Sequence, residues 1–207
     1  MDWPRIEAVV YGEEASPKDV MAPRLTTDGV LIQGFFPEAD KAEVLVGSRK
    51  YEMEQEDEAG YFAAMIPGRK IPDYKYRVTK GEETKEFADP YAFSGQITEA
   101  EEKAFCAGVY YHAYEKLGAH PMEINGVKGT SFAVWAPNAM RVSVVGDFNA
   151  WDGRCHAMHR MPMSGIFELF IPGVKAGDIY KYELKLKGNR IELKSDPYAA
   201  CTEVPPA

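Results

Sequence analysis

The sequence predicts an all-β protein made of two tandem immunoglobulin-like antiparallel β-sandwiches with a short helical connector. Three observations lead to this prediction. Four short sequence patterns occur twice, in the same order, about 100 residues apart. The segments between turn residues are short and rich in β-branched and aromatic residues, which is typical of strands. Only the stretch between the two copies has a helical pattern.

The repeated patterns define two homologous copies. The first copy contains Phe36-Pro37, Ile66-Pro67-Gly68, Tyr74-Lys75-Tyr76 and Asp89-Pro90-Tyr91-Ala92, and the second contains Ala136-Pro137, Ile171-Pro172-Gly173, Tyr180-Lys181-Tyr182 and Asp196-Pro197-Tyr198-Ala199. The offset grows from 100 to 107 residues along the chain, as expected if the second copy has slightly longer loops. We therefore predict domains at 1–95 and 122–207, with a connector at 96–121.

Strands are predicted in both copies from residue type and period. The predicted strands are 30–35, 42–46, 130–135, 141–145 and 180–186. The last of these alternates aromatic or aliphatic residues with charged ones, so that one face packs and the other meets water. Asp28-Gly29, Lys80-Gly81 and Lys187-Gly188-Asn189 supply turns between strands. Short strands separated by such turns favour a sandwich.

The connector has the pattern of a helix over 98–105. Thr98 is a suitable N-cap, and Glu101 three residues later completes a capping box. An aromatic stretch follows, and we expect the rings of Tyr111 and Tyr114 to pack between the two domains.

Composition excludes several classes of partner. The net charge of −8 and the pI near 5.1 argue against binding to nucleic acid or to an anionic membrane. No apolar run is long enough to span a membrane, and residues 1–5 lack the pattern of a signal peptide. The three cysteines, Cys106, Cys155 and Cys201, have no zinc-site spacing, and we expect a reducing cytoplasm.

The sequence contains no recognisable catalytic motif. Nucleophile elbows, phosphate-binding loops, dinucleotide fingerprints and metalloprotease motifs are all absent. His156 and His159 are close in sequence, but their segment is predicted to be a loop rather than a helix that could hold a metal. The carboxylates lie mostly in charged runs such as 52–58, which do not provide the paired acids of a glycosidase. We expect no catalytic residue, no cofactor and no metal.

A family resemblance covers essentially the whole chain. The segments that carry it are Leu117-Gly118-Ala119-His120-Pro121, Phe132-Ala133-Val134-Trp135-Ala136-Pro137-Asn138-Ala139, Gly146-Asp147-Phe148-Asn149, Trp151-Asp152-Gly153 and Asp196-Pro197-Tyr198-Ala199. They closely resemble the amino-terminal half of bacterial glycogen branching enzymes, where a family 48 carbohydrate-binding module precedes a catalytic (β/α)8 barrel. Residues 1–105 resemble the additional amino-terminal module of the longer branching enzymes.

The resemblance implies a reaction for the parent enzyme, which cuts an α-1,4 glucan and rejoins the piece as an α-1,6 branch. In that family the catalytic residues lie in the barrel. This sequence stops at Pro205-Pro206-Ala207, about where the barrel would begin. We therefore expect a non-catalytic fragment that binds α-glucan (glycogen, amylose or maltooligosaccharide) and positions the barrel.

The resemblance also implies site residues. A flat aromatic ring covers the apolar face of a pyranose, while polar side chains bind the hydroxyls. By its place in the family pattern, Trp151 is the candidate platform, with Asn149 and Lys181 as hydroxyl partners. The region 187–190 lacks the second aromatic residue that some family 48 modules have.

Other readings stay open. Trp151 could pack beneath its own loop or against the barrel, and the chain could be a purely structural module or a glycogen-binding regulatory module. We expect Trp135 to lie in the core or to face the barrel, and Phe148 to be a buried anchor of its turn. Trp3, at an unpatterned terminus, is expected to lack regular structure.

Overall fold

The computed structural model describes residues 2–202 of the chain, which form two β-sandwiches of two antiparallel sheets each. The all-β prediction is confirmed. The predictions that concern Met1 and the end at Pro205-Pro206-Ala207 lie outside the described residues.

The first sandwich is built from eight strands. They are β1 (Arg24–Leu25), β2 (Val30–Phe35), β3 (Lys41–Val46), β4 (Arg49–Glu52), β5 (Glu54–Asp57), β6 (Tyr61–Ile66), β7 (Lys75–Lys80) and β8 (Glu83–Phe87). One sheet has the order β1-β2-β6-β5 and the other β4-β3-β7-β8. Between them lies a core centred on Ile32, Val44, Phe62 and Tyr76, each at most 2% exposed.

The second sandwich has seven strands. They are β9 (Gly118–Ile124), β10 (Val127–Trp135), β11 (Arg141–Gly146), β12 (His159–Arg160), β13 (Ile166–Pro172), β14 (Tyr180–Leu186) and β15 (Arg190–Lys194). The sheets have the orders β12-β13-β10-β9 and β11-β14-β15. The predicted strand 180–186 coincides with β14, and its alternation places Tyr182 in the core and Lys181 on the exposed side.

A repeated carboxylate clamp explains why two of the sequence patterns recur. In the first sandwich, Asp89 Oδ2 accepts hydrogen bonds from the hydroxyls of Tyr74 at 2.5 Å and Tyr76 at 3.1 Å. In the second, Asp196 Oδ2 accepts from Tyr180 at 2.5 Å and Tyr182 at 3.3 Å. In both copies the other carboxylate oxygen accepts a backbone N–H two residues later, at 2.8 Å. In the first sandwich the clamp ties the segment after β8 to β7 and to the residue before it. In the second sandwich it ties the segment after β15 to β14.

Two amino-terminal helices precede the first sandwich. They are α1 (Trp3–Val10) and α2 (Lys18–Met21). The expectation that Trp3 lacks regular structure is wrong, because Trp3 is the first residue of α1. Pro4 lies in the first turn of this helix, where proline is well tolerated. Ile6 and Val9 are buried in a core cluster that also includes residues of the second sandwich. The helices therefore connect the two modules.

The connector contains α3 (Glu99–Cys106), and its capping box is confirmed. Thr98 Oγ1 accepts the Glu101 N–H at 3.3 Å, and the Glu101 carboxylate accepts the Thr98 N–H at 2.8 Å. Tyr111 and Tyr114 are 80% and 58% exposed, so the expectation that they pack between the domains is wrong. They follow α3 in a stretch whose only helical turn, 113–115, has no buried residue.

Buried glutamates attach the connector to the second sandwich. Glu102 of α3 accepts hydrogen bonds at 2.9 Å from the backbone N–H groups of Met163 and Ser164 and from the Ser164 hydroxyl. Glu168 of β13 accepts the Gln96 N–H at 2.8 Å. β9 begins at Gly118 and pairs with β10, so the predicted connector end at 121 falls inside a strand of the second sandwich.

The two sandwiches contact each other directly. The hydroxyl of Tyr91, just after β8, donates to the carbonyl of Ala157 in the second sandwich at 3.0 Å. At the other side, Lys185 of β14 binds Glu13, just after α1, at 3.1 Å.

Within residues 2–202, none of the helices has the length and apolar character needed to span a bilayer.

Candidate functional site

The candidate site is the loop that follows β11. A helical turn over Asp147–Asn149 ends in two consecutive residues with left-handed backbone, Ala150 at φ 53° and Trp151 at φ 62°. The loop is closed by the Trp151 N–H, which donates to the Gly146 carbonyl at 3.0 Å. Two adjacent non-glycine residues in this region are costly, and such strain is concentrated at functional sites.

Asn149 holds this loop together. Its Oδ1 accepts the Gly146 N–H at 3.0 Å, and its Nδ2 donates to the Val144 carbonyl at 2.8 Å. Nδ2 also lies 2.9 Å from Nδ1 of His156. Both amide hydrogens are therefore used inside the protein, and only Oδ1 keeps a free lone pair. If Asn149 binds a sugar hydroxyl, it does so as an acceptor.

Trp151 combines a fixed orientation with access to solvent. Its Nε1 donates to Asp147 Oδ1 at 2.8 Å, which satisfies the only polar atom of the indole. The residue remains 38% exposed, although its loop is tight. An indole that is held by its edge and accessible to solvent has the properties of a stacking platform.

Lys181 lies on β14 beside the start of this loop. It is paired with Val145, the residue before Gly146, and it is exposed. Glu183, two residues further, shares its face of the sheet. The loop returns across that face, because a side-chain carbon on Gly153 would lie 2.0 Å from a Glu183 carboxylate oxygen. The fold thus brings Lys181 to the same side of the sheet as the loop of Trp151 and Asn149.

A buried arginine supports the loop from below. Arg141 of β11, 2% exposed, donates to Glu183 Oε1 at 2.5 Å, to the Ser143 hydroxyl at 2.5 Å and to the Gly153 carbonyl. Hydrogen bonds to a charged and two neutral oxygens offset its removal from solvent, whereas its buried Nε has no hydrogen-bond partner among the described residues. The end of the loop is thereby fixed to β11 and β14.

Sequence reasoning considered His156 only as a metal ligand and missed its place in this loop. Burial lowers the pKa of its imidazole to about 4, so the ring is neutral at physiological pH. It packs edge-on against Phe148, with ring centroids 5.7 Å apart. Phe148 is half-buried against the core, less than the predicted burial. No spacing in the sequence indicates the Asn149–His156 contact, which exists only once the loop has folded.

Trp135 lies in a different place. It is the last residue of β10 and is 55% exposed, so of the two predicted positions the core is excluded, and a position facing the barrel stays a prediction. Its Nε1 donates to the Ser164 carbonyl at 2.9 Å, and its ring contacts Phe105 of α3 with centroids 5.9 Å apart. Met163, also exposed, borders the same helix through its N–H bond to Glu102. These residues form an apolar surface on the opposite sheet from the loop.

Two family profiles match the chain. The profile described as "alpha-1,4-glucan branching enzyme GlgB, N-terminal domain" matches residues 2–91. The profile described as "Carbohydrate-binding module 48 (Isoamylase N-terminal domain)" matches residues 116–199, which include the loop and β14. Together the two profiles cover both sandwiches.

Relatives with curated names agree with the profiles. The 1,4-alpha-glucan branching enzyme GlgB of Cereibacter sphaeroides is 46% identical over 206 residues, which are 98% of this chain and 28% of the relative. That of Synechococcus elongatus is 39% identical over 209 residues, 98% of this chain and 27% of the relative. The chain corresponds to the amino-terminal region of glycogen branching enzymes.

The chain spans just over a quarter of the length of these branching enzymes. Among solved structures, a pullulanase from Anoxybacillus sp. LM18-11 complexed with maltotetraose aligns with 86% of this chain and 24% of its own. Its sequence identity is 20% and the TM-score is 0.34, too low for a comparison of sites.

Proposed function

We propose that this region of a branching enzyme binds α-glucan through the loop 147–153 and β14. The observation that carries the proposal is the geometry of Trp151, whose indole is fixed through Asp147 and remains open to solvent on a strained loop. Lys181 supplies a donor for hydroxyls on the same side of the sheet, and Asn149 supplies an acceptor. The match to a carbohydrate-binding module over 116–199 supports this assignment.

The site is expected to bind weakly. A single aromatic platform without a second one at 187–190 buries little of an oligosaccharide, so a dissociation constant of about 10 μM to 1 mM is expected. Weak binding still retains a polymer, because a tethered second contact occurs at high effective concentration. The ligand class is glycogen, amylose or maltooligosaccharide.

We further propose that the whole protein converts α-1,4 glucan chains into α-1,6 branches in the cytoplasm, and that this region contributes no catalytic residue. Its part is to hold the glucan and to position the catalytic barrel. The exposed apolar surface of Trp135 and Met163 beside α3 supports such a contact, because an apolar patch of this kind favours an interface. The three cysteines of the described region are unpaired, as in a reducing compartment.

Native gel electrophoresis in glycogen or amylopectin tests the glucan proposal. The wild-type chain is expected to be retarded, and Trp151→Ala to be retarded less while its circular dichroism stays unchanged. Trp135→Ala is the matched control, since it removes an exposed indole from the opposite sheet. Equal retardation of wild type and Trp151→Ala would contradict the proposal.

The same exposed surface favours a second candidate, a purely structural module. In that case neither tryptophan substitution changes migration in glycogen, and the isolated chain self-associates through the Trp135 surface. Trp135→Ala would then reduce the self-association seen in analytical ultracentrifugation. If the chain is instead a regulatory module that binds glycogen, glycogen is expected to retard it in the gel as well. The gene would then encode no catalytic barrel.

A further inference from the structure

A cleft of about 450 Å³ lies between the two sandwiches, and the proposed platform residue Trp151 does not line it. One wall comes from β7 and β8 of the first sandwich, including Val78 and Lys85. The other wall comes from the loop region of the second, including Ala150 and His156. Its volume is within the range of about 300–1,000 Å³ that is usual for ligand pockets.

The tautomer of His156 is fixed by the loop. The Asn149 amide is oriented by the Gly146 N–H at its Oδ1, so its Nδ2 faces the imidazole and donates to Nδ1. The neutral ring must therefore carry its proton on Nε2. No residue in the described part of the chain accepts a hydrogen bond from Nε2. A donor at the wall of the cleft is thus available to a ligand.

Charged residues of both signs line the cleft. The cations are Lys80, Lys85 and Arg154, and the anions are Glu38, Asp89, Asp147 and Asp152. Lys80 is paired with Glu38, and Arg154 with Asp152 at 2.7 Å. Because the cations are largely neutralised in this way, the cleft has no concentration of positive charge for a phosphate or another anion. Its polar rim suits a neutral ligand with many hydroxyl groups.

Aromatic rings line part of the interior of the cleft. Half-buried aromatic rings of Phe36 and Phe87 from the first sandwich and Phe148 from the second line it. Arg154 lies over the ring of Phe35 at 5.4 Å, which orders the guanidinium at the mouth. Aromatic surface inside and mixed polar groups at the rim are the combination that recognises a saccharide.

We infer that this cleft is a second saccharide site, shared by the two sandwiches, which adjoins the first site at Asp147 and Asn149 but does not include the Trp151 indole. Its ligand is a short α-1,4-linked oligosaccharide or the end of a glucan chain. The choice of ligand class rests on the proposed function, whereas the site itself rests on the cleft. The first sandwich then takes part in binding directly, through Val78, Lys85 and the rings of β8 and the loop after β2.

Nuclear magnetic resonance with maltohexaose as the probe can separate the two sites. The reporters for the cleft are the Val78 methyl groups and the ring nitrogens of His156, and the reporter for the platform is the Trp151 indole N–H. In the Trp151→Ala variant, maltohexaose is expected to shift the Val78 and His156 signals still, in a saturable way. Cellohexaose, a β-linked chain of the same length, serves as the control ligand.

A substitution on the far wall gives a second measurement. Lys85→Met removes one exposed donor and keeps the side-chain stem, so the cleft affinity measured at Val78 is expected to fall by about threefold to tenfold. Lys70→Met, an exposed lysine of the same sandwich outside the cleft, should leave it unchanged. Equal affinities for the two variants would contradict a contact at Lys85.

The outcomes are distinguishable. If the Trp151 indole shifts in the wild type but Val78 and His156 do not, the glucan-binding function holds and the second site is refuted. If the cleft signals shift in the wild type and become silent in Trp151→Ala, the cleft is part of one continuous site and its independence is refuted. If no signal shifts in the wild type, both proposals fail.

Discussion

Asp89 shows how one side chain sets the conformation of a segment. Its carboxylate is surrounded by the hydroxyls of Tyr74 and Tyr76 and by a backbone N–H, with no cation beside it. Burial raises the pKa of Asp89 to about 6, since desolvation disfavours the charged form more than the three donors favour it. The buried carboxylate also raises the pKa of both tyrosines, whose own burial contributes most.

This site predicts a specific pH dependence. Between about pH 4 and pH 6 the folded state keeps a proton that the unfolded chain has released, so the free energy of unfolding falls as pH rises through this window. Asp89→Asn removes this contribution. The stability of the wild type relative to Asp89→Asn should therefore fall by about 2 kcal/mol between pH 4.5 and pH 7.

Urea denaturation of both proteins at the two pH values measures the effect. The lowered pKa of His156 acts in the opposite direction in both proteins and cancels in the comparison. Asp28→Asn, on an exposed turn, is the control and should show no such change. A difference that is constant with pH would mean that Asp89 keeps an ordinary pKa.

At the scale of elements, α3 depends on the sheet against which it packs. Its eight residues are too few for a stable isolated helix, so its position comes from caps and contacts. The three hydrogen bonds that Glu102 accepts are also why its pKa is lowered despite the opposing effect of desolvation. The contribution of this carboxylate to stability is present at neutral pH and is lost as pH falls through its lowered pKa.

Glu102→Gln should therefore destabilise the protein. The amide oxygen of glutamine is a weaker acceptor than the carboxylate, and the other orientation of the amide would place its NH2 group against the donors of Met163 and Ser164. The free energy of unfolding is therefore expected to fall by about 1–3 kcal/mol. Glu99→Gln on the same helix is the matched control, because Glu99 is exposed and pairs only with Lys103. Urea denaturation at pH 7 compares them, and similar losses for both variants would argue against the docking role.

The elements differ in how far the sequence could predict them. The strands were predicted well where period two and turn residues act together, as at 180–186 between Asp178 and Gly188. The helices α1 and α2 were missed, since eight and four residues give too short a pattern and their stability comes from burying Ile6 and Val9. Tyr111 and Tyr114 show the converse error, because aromatic character alone does not specify a partner.

The candidate site was accessible to sequence reasoning only in part. Trp151, Asn149 and Lys181 were predicted from the family resemblance, which carries residue positions but no contacts. The internal use of the Asn149 amide, the tautomer of His156 and the passage of Gly153 over Glu183 depend on residues distant in sequence. Those contacts require the three-dimensional packing of the loop.

The whole molecule is held together by groups that belong to neither sandwich alone. One core cluster runs from Ile6 of α1 through Tyr91 to residues of the second sandwich such as Val142. Above this core lies Arg141, whose guanidinium is covered by Gly12, since a side-chain carbon there would be 3.5 Å from it. The two sandwiches should accordingly unfold together.

Arg141→Met tests this cohesion. It leaves Glu183 and the Gly153 carbonyl without their partner in a region of little solvent, so a loss of about 3 kcal/mol or more is expected. Arg190→Met is the control, because Arg190 is exposed and pairs with Glu192. Tryptophan fluorescence and far-ultraviolet circular dichroism should give coincident urea transitions in both variants. Separate transitions would show that the sandwiches are energetically independent.

The position of Gly12 over Arg141 has a practical consequence for anyone who transplants the second sandwich as a portable glucan tag. A fusion that starts at residue 116 would lack Gly12 and would expose the guanidinium of Arg141 to water. Arg141 is 2% exposed in the intact chain, so the transplanted domain would acquire a charged flank unrelated to sugar binding. Grafting residues 2–202 as one block, or redesigning that flank first, avoids the artefact.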